Sequence, residues 1–278
     1  MQCPTIGRAL LFSFAPMIEW NVDPIMFTVG PLSPRWYGVM FALAFYLSFI
    51  VMKKIFLAEK KDLRQLDSLT IYMILGTVLG ARIGHVIFYE PEIVLQNPLD
   101  LFAVWKGGLA SHGGALGIIT GLWLFHKKYA GYPMIWLLDR LAIVAALSGM
   151  CIRIGNLMNS EIIGKATDVP WAFWFQRVDT VAPVWRHPTQ IYEALLCLVV
   201  FVWLWMQYKR GVAVQRPGQL IGKFLIAIFW GRFVIEFLKE HQVDFEASLP
   251  IDMGQILSIP FIVAGIYFVW RSSRTQHA

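Results

Sequence analysis

The sequence predicts an all-α, polytopic membrane protein with about seven transmembrane helices, its N-terminus outside and its C-terminus cytoplasmic. Three observations carry that expectation. Of 278 residues, 57% are hydrophobic and only 15% charged, where a soluble domain usually carries about 25% charged residues; mean hydropathy is +0.57. Several segments approach the roughly 20 apolar residues needed to cross a bilayer. Basic residues gather in alternate loops, the pattern that orients helices in membranes.

The chain reads as a single transmembrane domain over residues 1–278. Residues 1–33 form a short arm, because the apolar stretch Ala9–Ile18 is too brief to span and contains Pro16. Neither a cleavage site nor a lipobox cysteine follows that stretch, so a removed signal peptide is not expected. The seven predicted spans are Trp36–Phe56, Ser68–Tyr89, Gly108–Phe125, Met134–Leu157, Ile191–Gln207, Gly218–Leu238 and Met253–Trp270.

Orientation follows from the loops. Lys53, Lys54, Lys60, Lys61 and Arg64 follow the first span, and Lys127 and Lys128 the third. Lys209, Arg210 and Arg216 follow the fifth, and Arg271 and Arg274 the seventh. The other loops are sparser, with Lys106, Lys239, and Lys165, Arg177 and Arg186 spread through the long outer segment 159–187. That segment is irregular and rich in proline and aromatics, suited to lie on the membrane or cover a site. The 12 tryptophans and 20 phenylalanines fit rings at a lipid–water boundary.

Gly76, Gly80 and Gly84 recur every fourth residue in the second span, as Gly113, Gly117 and Gly121 do in the third. Such stripes let helix backbones approach closely where lipid supplies no hydrophobic drive for association. Cys3, Cys151 and Cys197 are too few and too scattered for a disulfide framework or metal cluster, and read as small apolar residues. A net charge of +6 is modest and is accounted for by topology, so no nucleic-acid partner is expected.

Ionisable residues inside spans are costly and therefore point to function. Arg82, His85, His112, Arg153, Glu193, Arg232 and Glu236 are of this kind, with Tyr37, Asn156, Asn159 and Gln190 close to them in the pattern. The expected topology puts all of them in the outer half of the bilayer. Bland alternatives stand beside the functional ones. Arg232 and Glu236, four apart, can neutralise each other; Arg82 can snorkel to the outer headgroups; His112 can be a packing residue. Asp139 and Arg140, at the opposite end of the fourth span, read as structural. Several arginines in one apolar site favour an anion, since the guanidinium fork matches phosphate oxygens. At that depth the simplest such anion is a phospholipid headgroup.

The segment from Arg153 through Asn156, Asn159 and Glu161 to Gly164 resembles the signature of the prolipoprotein diacylglyceryl transferase family. So do Trp36-Tyr37-Gly38, Ala81-Arg82 with Gly84, and Ser111-His112-Gly113-Gly114. The likeness continues through Arg186-His187-Pro188-Thr189-Gln190 to Glu193, Gly231-Arg232 with Glu236-Phe237, and Met253-Gly254-Gln255 to Pro260. These motifs fall in order along nearly the whole chain. The chain departs in places: Ser160 stands where the family often has glycine, and Ile228 where some members carry a functional tyrosine. Lys239 corresponds to a second basic residue of the family.

The resemblance implies that diacylglyceryl passes from phosphatidylglycerol to the lipobox cysteine thiol of a prolipoprotein, with no metal or organic cofactor. It implies His112, Arg153 and Arg232 as catalytic residues, His112 taking the thiol proton, with Glu161 or Glu236 as the lower-ranked alternative base. Tyr37, Arg82, Arg153, Asn156, Glu161, Gly164, Arg232 and Glu236 are the implied phosphatidylglycerol-binding set. The implied setting is the bacterial inner membrane, with the site toward the outer leaflet, a monomeric chain, and membrane lipids and lipobox peptides as partners. A transporter is the main rival from another class, but transporters often show matching halves and no repeat is visible here. A retinal protein lacks its lysine, since Met253–Trp270 contains none. No Gly-x-Ser-x-Gly or His-Glu-x-x-His motif supports intramembrane proteolysis.

Overall fold

The computed structural model describes residues 17–30, 32–103, 108–240 and 251–274. Seven long helices form the body: α1 (Trp36–Ala58), α2 (Leu63–Tyr89), α4 (Ser111–Lys128), α5 (Met134–Met158), α6 (Thr189–Lys209), α8 (Gln219–Glu236) and α9 (Met253–Arg274). Short helices α3 (Glu92–Gln96) and α7 (Val212–Gln215), with a 3₁₀ turn at Pro98–Phe102, lie between them. Each predicted span falls on one long helix. Five of these (α1, α2, α5, α6 and α9) are long and apolar enough to cross a membrane. The other two are 18-residue helices; α4 ends in His126-Lys127-Lys128, and α8 carries Lys223, Arg232 and Glu236.

Most of the arm assigned to residues 1–33 lies outside the described residues, as do Cys3, Lys106 and Gly107. What is described adds strand structure that hydropathy did not predict. β1 (Ile18–Trp20) pairs in parallel with β2 (Phe173–Phe175), which pairs antiparallel with β3 (Trp185–Arg186). The segment 159–187 is therefore not wholly irregular: two of the three strands come from it.

Packing follows the small residues. On α2 and α4, a Cβ added to Gly76, Gly80, Gly113 or Gly117 would strike backbone atoms of the facing helix. The backbones touch where side chains would otherwise hold them apart. Gly222 of α8 and Gly265 of α9 do the same, each meeting the other's carbonyl oxygen at 2.8 Å.

One end of the bundle is pinned by polar contacts that the basic loops surround. Arg140 donates through Nε and Nη2 to Glu59 Oε1 at 3.1 and 2.9 Å, and Trp136 donates to Glu59 Oε2 at 2.6 Å. The Asp139 carboxylate accepts from the Gly218 and Ile221 amides at 2.7 and 2.9 Å, satisfying the open N-terminus of α8. Both residues are structural, as expected. Beside them lies the packed core, with Ile55, Phe56, Phe125, Ile143, Leu204 and Leu220 fully buried.

Candidate lipid-phosphate site

At the opposite end, α5 closes on a turn that reverses sharply. Ser160 (φ +53°) and Ile162 (φ +56°) both adopt left-handed backbone, which side-chain-bearing residues disfavour and β-branched ones most of all. The turn is held by its neighbours. The Glu161 amide donates to the Asn156 carbonyl at 2.9 Å, Thr189 Oγ1 to the Ile162 carbonyl at 2.7 Å, and Gln190 Nε2 to the Glu161 carbonyl at 2.6 Å. The Gly164 amide donates to the His187 carbonyl at 3.1 Å. A Cβ at Gly164 would collide with His187 and lie 2.9 Å from the Leu238 carbonyl oxygen, so this position admits only glycine.

The strained turn presents Glu161 to two amides. Asn156 Nδ2 donates to Glu161 Oε2 at 3.2 Å, and Asn159 Nδ2 to Oε1 at 3.0 Å. Asn156 Oδ1 in turn accepts from Arg153 Nη1 at 3.3 Å. Arg153 Nε lies 2.9 Å from Glu193 Oε2, an ion pair without hydrogen-bond alignment. Its Nη2 has no partner among the described residues. Tyr37 packs over Gly155, where an added Cβ would meet its ring at 3.0 Å.

Glu193 is shared. Its Oε1 accepts from Lys239 Nζ at 2.9 Å, and the same ammonium donates to Glu236 Oε2 at 3.0 Å. All three are buried, Lys239 at 2% exposure. Two cations and two carboxylates balance, which makes this burial tolerable; losing any one member would strand a charge. Gly254 of α9 lies against the Glu236 carboxylate with no room for a Cβ.

Outside the membrane helices, Arg186 grips Asp179 through Nε and Nη2 at 2.7 and 2.8 Å and reaches Glu240 at 2.9 Å. Its hydrogen bonds to the Asp179 carboxylate, more than anything else, raise its already high pKa. Burial pushes the neighbouring His187 below its ordinary value.

The structure gathers Tyr37, Arg153, Asn156, Glu161, Gly164 and Glu236 into this end of the bundle. It sets aside two of the bland alternatives. Glu236 does not neutralise Arg232: Lys239 takes that carboxylate, and half-buried Arg232 has no ion-pair or hydrogen-bond partner among the described residues. Arg82 does not snorkel. It is 3% exposed, bonded through Nε and Nη2 to the Asp100 carbonyl at 3.3 and 3.0 Å and through Nη1 to that of Gly108 at 3.5 Å. His112 is exposed in the first turn of α4, edge-on to Phe88 with ring centroids 4.9 Å apart. Among the described residues no hydrogen bond or ring contact ties it to the Arg153 cluster.

Sequence reading marked Glu193 as an intramembrane charge and Lys239 as the counterpart of a second basic residue of the family, but assigned neither a catalytic or binding role, although Lys239 is the buried centre of the cluster. Forty-six residues separate the pair, so no spacing rule could have shown that they bond each other. Among the described residues no group of three or more His, Cys, Asp or Glu side chains is placed to hold a metal ion.

An apolar bundle ending in a neutralised cluster, with an arginine nitrogen left over, defines a multi-pass membrane protein with a candidate anion site. The model of the prolipoprotein diacylglyceryl transferase family matches residues 24–271. A phosphatidylglycerol–prolipoprotein diacylglyceryl transferase of Tolumonas auensis is 45% identical over 260 residues, covering 94% of this chain and 99% of the relative. Proteins of the same name from Chloroherpeton thalassium and Porphyromonas gingivalis are 44% and 43% identical, each covering 92% of this chain and 94% of the relative. The chain belongs to the prolipoprotein diacylglyceryl transferase family.

Proposed function

We infer that the chain moves diacylglyceryl from phosphatidylglycerol to the lipobox cysteine of prolipoproteins in the bacterial inner membrane. The observation that carries this reading is family membership along nearly the whole chain, joined to an Arg153 guanidinium only partly satisfied by protein. In this reading seven helices cross, the N-terminus lies outside and the site faces the outer leaflet. Basic loops at the Arg140 end support that orientation.

Phosphate oxygens meet Arg153 Nη2 and Arg232, which has no partner among the described residues. Asn156 and Glu161 aim Arg153, while Tyr37 and Gly164 shape the wall behind it. Arg82 acts on the lipid through the Asp100 and Gly108 backbone it holds, and Glu236 by fixing Lys239. The peptide thiol must become thiolate to attack. His112, an exposed imidazole with Gly113 and Gly114 beside it, takes that proton. Sulfur bonds to the terminal glyceryl carbon as the carbon–oxygen bond to phosphate breaks, giving a thioether and glycerol phosphate. Negative charge grows on the departing phosphate, so fixed cations there favour the transition state.

Purified protein in nanodiscs, given phosphatidylglycerol and a lipobox peptide, is expected to add one diacylglyceryl mass to the cysteine and nothing to a Cys→Ser peptide. No gain under conditions where a relative is active would overturn the reading. His112→Gln is expected to slow transfer by about 10²–10⁴-fold; near-normal turnover would return His112 to packing.

A further inference from the structure

The turn that aims Arg153 is a Schellman motif without its usual glycine. The Glu161 amide closes on the Asn156 carbonyl at 2.9 Å and the Ser160 amide on the Leu157 carbonyl at 3.0 Å, the two bonds that define this kind of helix end. The left-handed position between them, where glycine is the common residue, is Ser160 (φ +53°), and Ile162 is left-handed two residues later (φ +56°). Backbone of this kind persists only where its surroundings over-determine it.

One of those surroundings is remote in sequence. Trp20 Nε1 donates to the Leu157 carbonyl at 3.0 Å, across 137 residues. That carbonyl is among the last four of α5, which have no partner within the helix, and it accepts from Ser160 and Trp20 together. The half-buried indole packs beside Leu157 and Phe173, its ring centre 5.6 Å from that of Phe173. Its strand is fixed in turn: the Gln176 amide donates to the Trp20 carbonyl at 3.1 Å, and Gln176 Nε2 to Glu19 Oε2 at 3.0 Å. Trp20 thus ties β1 to a carbonyl one residue from Asn156, the side chain that joins Glu161 to Arg153. Ring burial alone would need only a phenylalanine; the indole N–H adds a bond to the strained turn.

We propose that Trp20 is a positioning residue for the transfer reaction, its indole holding the serine-built turn in the form that sets Glu161 and Asn156 on Arg153. The inference rests on the transferase reading above. The strand touches no reacting atom and acts through the Leu157 backbone. Without that bond the left-handed turn relaxes, Glu161 parts from Asn156, and the guanidinium loses its aim at the phosphate.

Trp20→Phe keeps the ring and deletes the donor; Trp20→Leu repeats the test if the first variant does not fold. Mass gain on the lipobox peptide, per folded protein, is expected to slow about fivefold. Trp136→Phe deletes an indole donor to Glu59 at the opposite end of the bundle and controls for lost stability; its transfer is expected to equal wild type. Ser160→Gly takes up left-handed backbone without penalty. Added to Trp20→Phe, it is expected to return transfer to within about twofold of Ser160→Gly alone. Hydrogen exchange reads the turn independently of activity: the Ser160 and Glu161 amides should exchange about fivefold faster in Trp20→Phe and at the wild-type rate in Trp136→Phe. Unchanged exchange at these amides would overturn the role of Trp20. So would an equal loss of transfer in Trp136→Phe, or a loss that Ser160→Gly does not repair. Faster exchange in a protein whose wild type adds no diacylglyceryl would refute the transferase reading, and with it the catalytic role, while the clamp on the turn stood.

Discussion

Two arginines on α5, thirteen residues apart, show how the same side chain serves opposite ends. Arg140 is 2% exposed, spends Nε and Nη2 on one Glu59 oxygen and lies 4.7 Å from the Trp136 ring centre. Arg153 is half-buried, shares its carboxylate with Lys239, and keeps one nitrogen for something else. Each leaves one guanidinium nitrogen without a partner among the described residues, so the contrast lies in burial and sharing: a deeply buried arginine with a carboxylate to itself marks a structural charge, and a half-buried one on a shared carboxylate leaves room for a ligand. Arg232 extends the second pattern, with no protein partner at all among the described residues.

Breaking the deeply buried pair has the largest expected effect. Arg140→Ala leaves the Glu59 carboxylate without its cation and should cost roughly 3–5 kcal/mol, read as a lower unfolding midpoint in detergent. Protein that remains folded should keep its transfer rate; a variant as stable as wild type would show that the pair holds nothing.

Arg153→Ala inverts that outcome. Transfer is expected to fall by about 10²–10³-fold, measured by mass gain on the lipobox peptide. Some stability is lost too, because Glu193 is left to Lys239 alone. Normal transfer would place the phosphate elsewhere.

Arg232→Gln sharpens the comparison, since no partner among the described residues is stranded. Transfer should drop about a hundredfold while the unfolding free energy stays within about 0.5 kcal/mol. A large stability loss would mean that this arginine belongs with Arg140.

The smallest effect concerns the turn that aims Glu161. Ser160→Gly should raise stability by about 1 kcal/mol, because glycine adopts the left-handed conformation without penalty. The departure from the family's glycine is thus tolerated at a conformational cost, and Ser160 Oγ, buried without a partner, adds to it. No gain, read as an unchanged unfolding midpoint, would mean the surrounding contacts already absorb the strain.

The sequence by itself determined the seven long helices, the close approach of α2 to α4 and the residues of the Arg153 turn. Hydropathy, glycine spacing and intramembrane charge are local signals, and each span is set by its own residues. Tertiary structure decided who pairs with whom. Glu236 stands four residues from Arg232, the spacing that favours a pair, yet it bonds Lys239, because α6 brings Glu193 to the same ammonium. Arg82 was legible as an intramembrane charge, but its partners are backbone carbonyls of a distant connection that no spacing rule reaches. The three-strand sheet joins Ile18 to Phe173 across most of the chain's first two-thirds, on strands too short for any periodicity to show. Linear pattern tells which charges have entered the membrane; only the folded bundle settles which of them remain unspent, because ion pairing depends on distances that converging helices set.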